Sequence, residues 1–142
     1  MTTARDIMTT GPECARATDT LVQAAEKMRD LEVGALPICG TDDRLAGMIT
    51  DRDIVVRGLA AGLDPRTAKV GDLADGKPVT IGADDSVEET LATMSKHGVR
   101  LLPVIDGHDL VGVVSQADVA RHLPESKVGE LVEAISSARP NS

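Results

Sequence analysis

The chain has 142 residues, is 42% hydrophobic and carries a formal net charge of −8. That length suits one compact module or two very small ones, and the acidic balance argues against nucleic acid and anionic membranes as partners, since both call for a basic surface. There is no Phe, Tyr or Trp, so the core must be aliphatic and no aromatic platform exists to stack bases.

The first residues, Met1-Thr2-Thr3-Ala4-Arg5-Asp6, contain no apolar h-region, and no apolar run reaches membrane-spanning length. The expected address is the cytoplasm, with non-classical export left open. A short extended run is expected near residues 13–15, after Pro12. Thr20-Leu21-Val22-Gln23 matches the S/T-x-x-E/Q capping box and starts a helix. Its apolar face is Leu21, Ala24, Ala25, Met28 and Leu31; the stop near Glu32 is less clear. Two β-rich runs, 33–39 and 45–50, flank a polar turn and predict a hairpin. The second run leads directly into a helical segment, 51–61. Residues 63–69, with Asp64-Pro65, form a linker.

The order then repeats. An extended run is expected at 79–81 after Pro78, and a helix starts from the box Ser86-Val87-Glu88-Glu89. Gly98 is placed to stop that helix. A hairpin over 99–105 and 110–115 and a helix over 116–123 follow. A last helix carries Val128, Leu131, Val132 and Ile135 on one face, and residues 139–142 should fray.

The repeat is exact in register. The prolines give 103 − 37 = 66, Met28 and Met94 give 94 − 28 = 66, and Asp6 and Asp72 give 72 − 6 = 66. After the turn the offset becomes 65, at Gly47 and Gly112 (112 − 47) and at Asp53 and Asp118 (118 − 53). Two copies of one β-α-β-β-α unit therefore make up most of the chain, related by a pseudo-two-fold axis. The copies are bounded at 1–66 and 67–123, with a helical tail at 124–142. The expected fold is α/β (α+β), with the repeats packed sheet to sheet. Leu36, Ile38, Met48, Leu102, Val104 and Val113 should be largely buried.

Each copy ends its last strand on a hydroxyl with an aspartate three residues on: Thr50-Asp51-Arg52-Asp53 and Ser115-Gln116-Ala117-Asp118. One reading is purely structural, a helix N-cap with an acidic first turn. The other is a binding site, in which amide groups and a hydroxyl meet a phosphate and a carboxylate accepts from a ribose. The two are compatible. The glycines at 47 and 112 would let a neighbour approach the backbone closely.

These motifs, with Leu36-Pro37-Ile38 and Leu102-Pro103-Val104 after the first helix of each copy, resemble those of tandem CBS-domain proteins, or Bateman modules. The resemblance covers residues 4 to about 123. Leu36-Pro37-Ile38-Cys39-Gly40, Thr50-Asp51-Arg52-Asp53-Ile54-Val55 and Ala120-Arg121-His122-Leu123-Pro124-Glu125 are more narrowly similar to the stand-alone CBS pairs of the bacterial hypoxic-response type. The resemblance implies a non-catalytic sensor module with adenine nucleotides (AMP, ADP or ATP) in clefts between the repeats and no required cofactor. It places the ribose on Asp53 and Asp118 and the phosphate near Thr50 and Ser115. Leu36, Ile38, Leu102 and Val104 would help line the clefts, and Arg52, Arg100 and Arg121 are the phosphate candidates, each with a solvated-charge alternative. The rival reading is a stress-response structural or partner-binding protein with vestigial sites. A homodimer is expected in either case, through the Leu21/Val87 helices or the opposite helices; any other protein partner is unknown.

Other chemistry is weaker. Gly71-Asp72-Leu73-Ala74-Asp75-Gly76-Lys77-Pro78 approaches a phosphate-loop pattern, but Pro78 stands where Ser or Thr must hold the metal. His97, His108 and His122 lack ligand spacing, so no metal site is assigned; an inter-subunit zinc site is the alternative. No nucleophile–base pair is visible, so the chain is read as not an enzyme. Cys14 and Cys39 fall on predicted parallel neighbours of one β-α-β unit, about 5 Å apart at Cα, close enough for a disulfide; two separate buried thiols are the alternative.

Overall fold

The computed structural model describes residues 1–42, 44–74 and 76–137. The expected frayed end, 139–142, lies outside them. The chain divides into two compact units, Glu13–Pro78 in one and Met1–Pro12 with residues 79–137 in the other.

In the first unit, β2 (Ala15–Arg16) pairs in parallel with β3 (Ala35–Cys39), which pairs antiparallel with β4 (Leu45–Thr50). Helix α2 (Leu21–Leu31) starts at the anticipated box: Thr20 Oγ1 accepts from Gln23 N at 3.1 Å and Gln23 Oε1 accepts from Thr20 N at 2.8 Å. Leu21, Ala24 and Met28 of its stripe close over Leu36, Ile38 and Ile49, while Ala25 and Leu31, expected on the same face, are exposed because they lie at its margin. The segment after β4 is a π-helix, Asp53–Leu59, with Ala60 N donating to Val55 O five residues back. Apolar spacing alone gave no sign of that wider winding. A short helix, α3 (Val70–Leu73), completes this core with Val70 and Leu73.

The second unit repeats the plan. β5 (Ile81–Gly82) pairs in parallel with β6 (Leu101–Asp106), and β6 pairs antiparallel with β7 (Asp109–Ser115). Helix α4 (Val87–His97) starts at Ser86, which is boxed with Glu89, and ends at Gly98 with φ +63°. The equivalent residue in the first unit, Glu32, holds φ +57° despite its side chain. A short α5 (Gln116–Ala120) follows β7, then α6 (Glu125–Ser137). Leu131 of α6 is fully buried, but Val132 is 46% exposed and is not part of the buried face. The side chains of Val128 and Ile135 lie outside the described ones.

The cut between units differs from the cut between sequence copies at 66/67. The leading segment of copy one, with α1 (Ala4–Ile7) and β1 (Thr9–Thr10), sits in the unit of copy two, where β1 extends the sheet beside β7. Ala4 N donates to Asp85 O and Arg5 N to Ala83 O. The leading segment of copy two does the same in return: Val70 N donates to Asp19 O and Gly71 N to Ala17 O. These are equivalent bonds under the 66-residue offset, so the two copies exchange leading segments.

Of the expected core, Leu36, Ile38, Leu102 and Val104 are buried. Met48 and Val113 are only half-buried; Ile49 and Val114 take the core positions. Side chains alternate along a strand, and the helix-facing set includes Gly47 and Ile49 in β4 and Gly112 and Val114 in β7. The expected face was therefore off by one residue.

Candidate functional site

Both Thr/Ser-x-x-Asp motifs stand where a hairpin strand turns into a helix. Thr50 N donates to Asp53 Oδ2 at 2.9 Å and Asp53 N donates to Thr50 Oγ1 at 3.0 Å. Ser115 N donates to Asp118 Oδ2 at 2.8 Å and Asp118 N donates to Ser115 Oγ at 3.1 Å. Each motif is thus a reciprocal cap, which satisfies two backbone donors at the helix start. The residue after the hydroxyl is tied back to the hairpin as well, Asp51 N to Gly34 O at 2.9 Å and Gln116 N to Arg100 O at 2.8 Å.

The second carboxylate oxygens differ. Asp53 is 4% exposed, and its Oδ1 is buried without a hydrogen-bond donor. The Arg57 guanidinium stands 3.9 Å from it but donates instead to Leu73 O at 2.7 Å. Arg57 had no motif to mark it. It lies four residues after Asp53, on the same helical face, and that spacing was the available sign. In the second copy, Asp118 Oδ1 pairs with Arg121 at 3.1 Å, and His122 Nδ1 lies 3.0 Å from Asp118 O.

Of the other phosphate candidates, Arg52 and Arg100 are exposed. Arg100 and Ser115 come together in an open cleft of about 430 Å³, which Gln116, Ala117, Val132 and Ser136 complete. Leu36, Ile38, Leu102 and Val104 do not line a surface: all four point into the cores beneath the helices. They can only support a site from behind. Strand parity identifies the residues that share a face with the hydroxyls. These are Ala35, Pro37 and Met48 with Thr50, and Leu101, Pro103 and Val113 with Ser115. The close approach at Gly112 is also internal. A Cβ there would lie 2.4 Å from Met8 Sδ and 2.8 Å from Thr9 O, so the glycine makes room for β1.

Cys14 and Cys39 form a disulfide with Cα atoms 5.6 Å apart. It closes the β2-α2-β3 crossover from Cys14, the residue just before β2, to Cys39 at the end of β3. Lys27 of α2 donates to Cys14 O at 2.8 Å, pinning the same corner. Among the described residues no group of three or more His, Cys, Asp or Glu converges as a metal cluster, and no helix is long and apolar enough to cross a membrane.

The CBS domain family model matches residues 4–59 and 70–125, which include both motifs and both exchanged segments. The chain belongs to the CBS-domain family. It is 56% identical over 137 residues to hypoxic response protein 1 of Mycobacterium tuberculosis (strain CDC 1551 / Oshkosh), covering 96% of each chain. A crystal structure of hypoxic response protein I with two coordinated zinc ions is 57% identical, with a TM-score of 0.80 over 87% of this chain and 100% of that one. A CBS domain pair solved with 5′-methylthioadenosine and S-adenosyl-L-methionine is 26% identical, with a TM-score of 0.76 over 85% of this chain and 94% of that one. The chain is thus a CBS pair made of two repeats of mixed α/β structure, and the resemblance read from its motifs holds.

Proposed function

We propose that this chain is a non-catalytic regulatory module that binds an adenine nucleotide or nucleoside on its two Thr/Ser-x-x-Asp motifs and transmits occupancy through the shape of a homodimer. The observation that carries this reading is Asp53. A buried carboxylate oxygen without a donor costs about 1–3 kcal/mol, and a ribose hydroxyl is the donor that its motif position anticipates. The adenosyl ligands of the 26% identical CBS pair support the same class. Met48 and Val113, half-buried on the hydroxyl-bearing faces, are the apolar candidates for contact with the base.

The dimer has support in exposed apolar surface. Most of the apolar stripes of α2 and α4 is buried in their own cores, with Leu31 of α2 40% exposed. Val55 (55% exposed), Val56 and Leu59 (50%) of the π-helix remain in solvent. The opposite helices, not α2 and α4, are therefore the proposed interface. Sedimentation at micromolar concentration should give twice 14.8 kDa; a monomer would count against this face.

Melting of the purified protein with AMP, ADP, ATP, adenosine and S-adenosylmethionine tests the ligand. Asp53→Ala or Asp118→Ala should each remove about 1.5–3 kcal/mol of binding at its own motif. Binding that survives in the double variant would overturn the assignment. The second reading, a stress-response protein with vestigial sites, is favoured by the caps themselves, since both aspartates already do a structural job without ligand. Its signature is an unchanged melting temperature with every adenine compound.

A further inference from the structure

We infer that the two motifs are chemically unequal: the second recognises a 5′-phosphate, and the first holds the ribose of an adenosyl ligand whose 5′ end carries no negative charge. This rests on the adenine-ligand reading above and extends it.

The internal repeat supplies the comparison. At the hairpin's first strand, copy two has Arg100 where copy one has Gly34 (100 − 66). After the hydroxyl, copy two has the neutral Gln116 where copy one has Asp51 (116 − 65). One turn into the helix, copy two has Arg121 where copy one has Val56 (121 − 65).

The placement of these residues makes the difference count. Arg100, Ser115 and Gln116 line one cleft together. A guanidinium, a hydroxyl and an amide there offer only neutral or cationic groups to an anion. Arg121 pairs with Asp118 yet is 68% exposed at its side chain, so it is free to swing toward a phosphate and release Asp118 to a ribose. In the first copy the space beside Gly34 faces a carboxylate instead: a Cβ there would lie 3.0 Å from Asp51 Oδ2. Asp51 is exposed and would repel a phosphate at Thr50, offsetting the exposed Arg52 next to it, where copy two has Ala117. Asp53 Oδ1, by contrast, accepts no hydrogen bond and has only the longer 3.9 Å ion pair with Arg57 to give up to a ribose hydroxyl. The −8 net charge adds a penalty that grows with phosphate number, so the second motif suits a monophosphate best.

The test is titration calorimetry with AMP and adenosine on the full chain, on Asp53→Ala, on Asp118→Ala, and on a double variant, Arg100→Gly with Arg121→Val, which installs copy one's residues in copy two. Both arginines are exposed, so the double variant should fold, and its circular dichroism melt checks this. AMP binding should persist in Asp53→Ala and fall by about tenfold or more in Asp118→Ala and in the arginine variant, the range for losing a charge-assisted bond. Adenosine binding should persist in Asp118→Ala and in the arginine variant and fall in Asp53→Ala. If AMP and adenosine weaken together in every variant, or if the arginine variant binds AMP normally, the inequality is wrong and the nucleotide reading stands. If the unaltered chain binds neither compound at millimolar concentration, both are overturned.

Discussion

Gly112→Ala should destabilise the second unit, and Gly47→Ala, the same change at the equivalent residue, should not. Neither glycine has a positive φ, so alanine meets no backbone strain at either place. The difference is space. At Gly112 the new Cβ would stand 2.4 Å from Met8 Sδ and 2.8 Å from Thr9 O. The sulfur ends a flexible side chain and can move. The carbonyl belongs to β1, which is held in register by the pairing of Thr9 with Val113 and Thr10 with Gly112. Relief therefore requires β1 to lift from β7. Overpacking of this kind costs about 1–3 kcal/mol, which at roughly 3 °C per kcal/mol for a chain of this size lowers the melting temperature by about 3–9 °C. At Gly47 the nearest atoms are Ala74 Cβ at 3.5 Å and Ile38 Cδ1 at 3.6 Å, which are ordinary contacts. Ala74 is the 66-residue equivalent of Met8, so the smaller neighbour explains the looser fit. Gly47→Ala should then be neutral or gain about 0.4–1 kcal/mol from a less flexible unfolded chain. Far-ultraviolet circular dichroism is the suitable readout, because the chain has no aromatic residue to fluoresce. Equal melting temperatures for the two variants would refute the reasoning.

Glu32→Gly should raise stability by about 1 kcal/mol, since Glu32 holds a left-handed conformation that disfavours a side chain; a lower melting temperature would instead reveal an unrecognised role for its carboxylate. Reducing the Cys14–Cys39 bond, which spans 25 residues, should remove about 3.5 kcal/mol by freeing that loop in the unfolded chain, and thermal melts with and without reductant, beside a Cys14→Ser/Cys39→Ser variant, measure it. Hydrogen bonds from Thr3, first its backbone N–H and then its hydroxyl, hold the Asp6 carboxyl below its ordinary value. The folded state therefore takes up this proton less readily than the unfolded one, and the contribution is present above the ordinary Asp range and lost as pH falls through the lowered value. The gap in melting temperature between the parent and Asp6→Asn should accordingly close on acidification; a gap constant with pH would contradict this.

Elements whose cause is local were legible in the sequence. The starts of α2 and α4 depend on one side chain reaching three residues along, and Thr20 and Ser86 show that directly. The closeness of Cys14 and Cys39 was legible in the β-α-β order, whose two strands read as parallel neighbours. The strand face was not legible. Gly47-Met48-Ile49 and Gly112-Val113-Val114 place apolar residues at consecutive positions, and a strand covered on both faces erases the alternation that reveals its inner side. Leu36, Ile38, Leu102 and Val104 are buried as expected, and that burial is what keeps them from also lining a cleft. Arg57, the cation nearest Asp53, and Val56, the apolar counterpart of Arg121, gain meaning only when the motif is seen in three dimensions beside its copy. The exchange of leading segments was equally hidden, because sequence similarity reports which residues are alike and not which core they complete.

That exchange bears on how such a chain can be divided. A fragment cut at residue 66 keeps α1 and β1, which have no partner sheet within it, and lacks Val70 and Leu73, which its own core uses. A fragment beginning at residue 67 has the complementary defect. The segment Glu13–Pro78, by contrast, carries every residue of the first core. A gene encoding a single repeat would therefore yield a polypeptide that finishes its core only by lending its first residues to another molecule and borrowing that molecule's in return. Joining two such genes end to end would make that loan internal and independent of concentration.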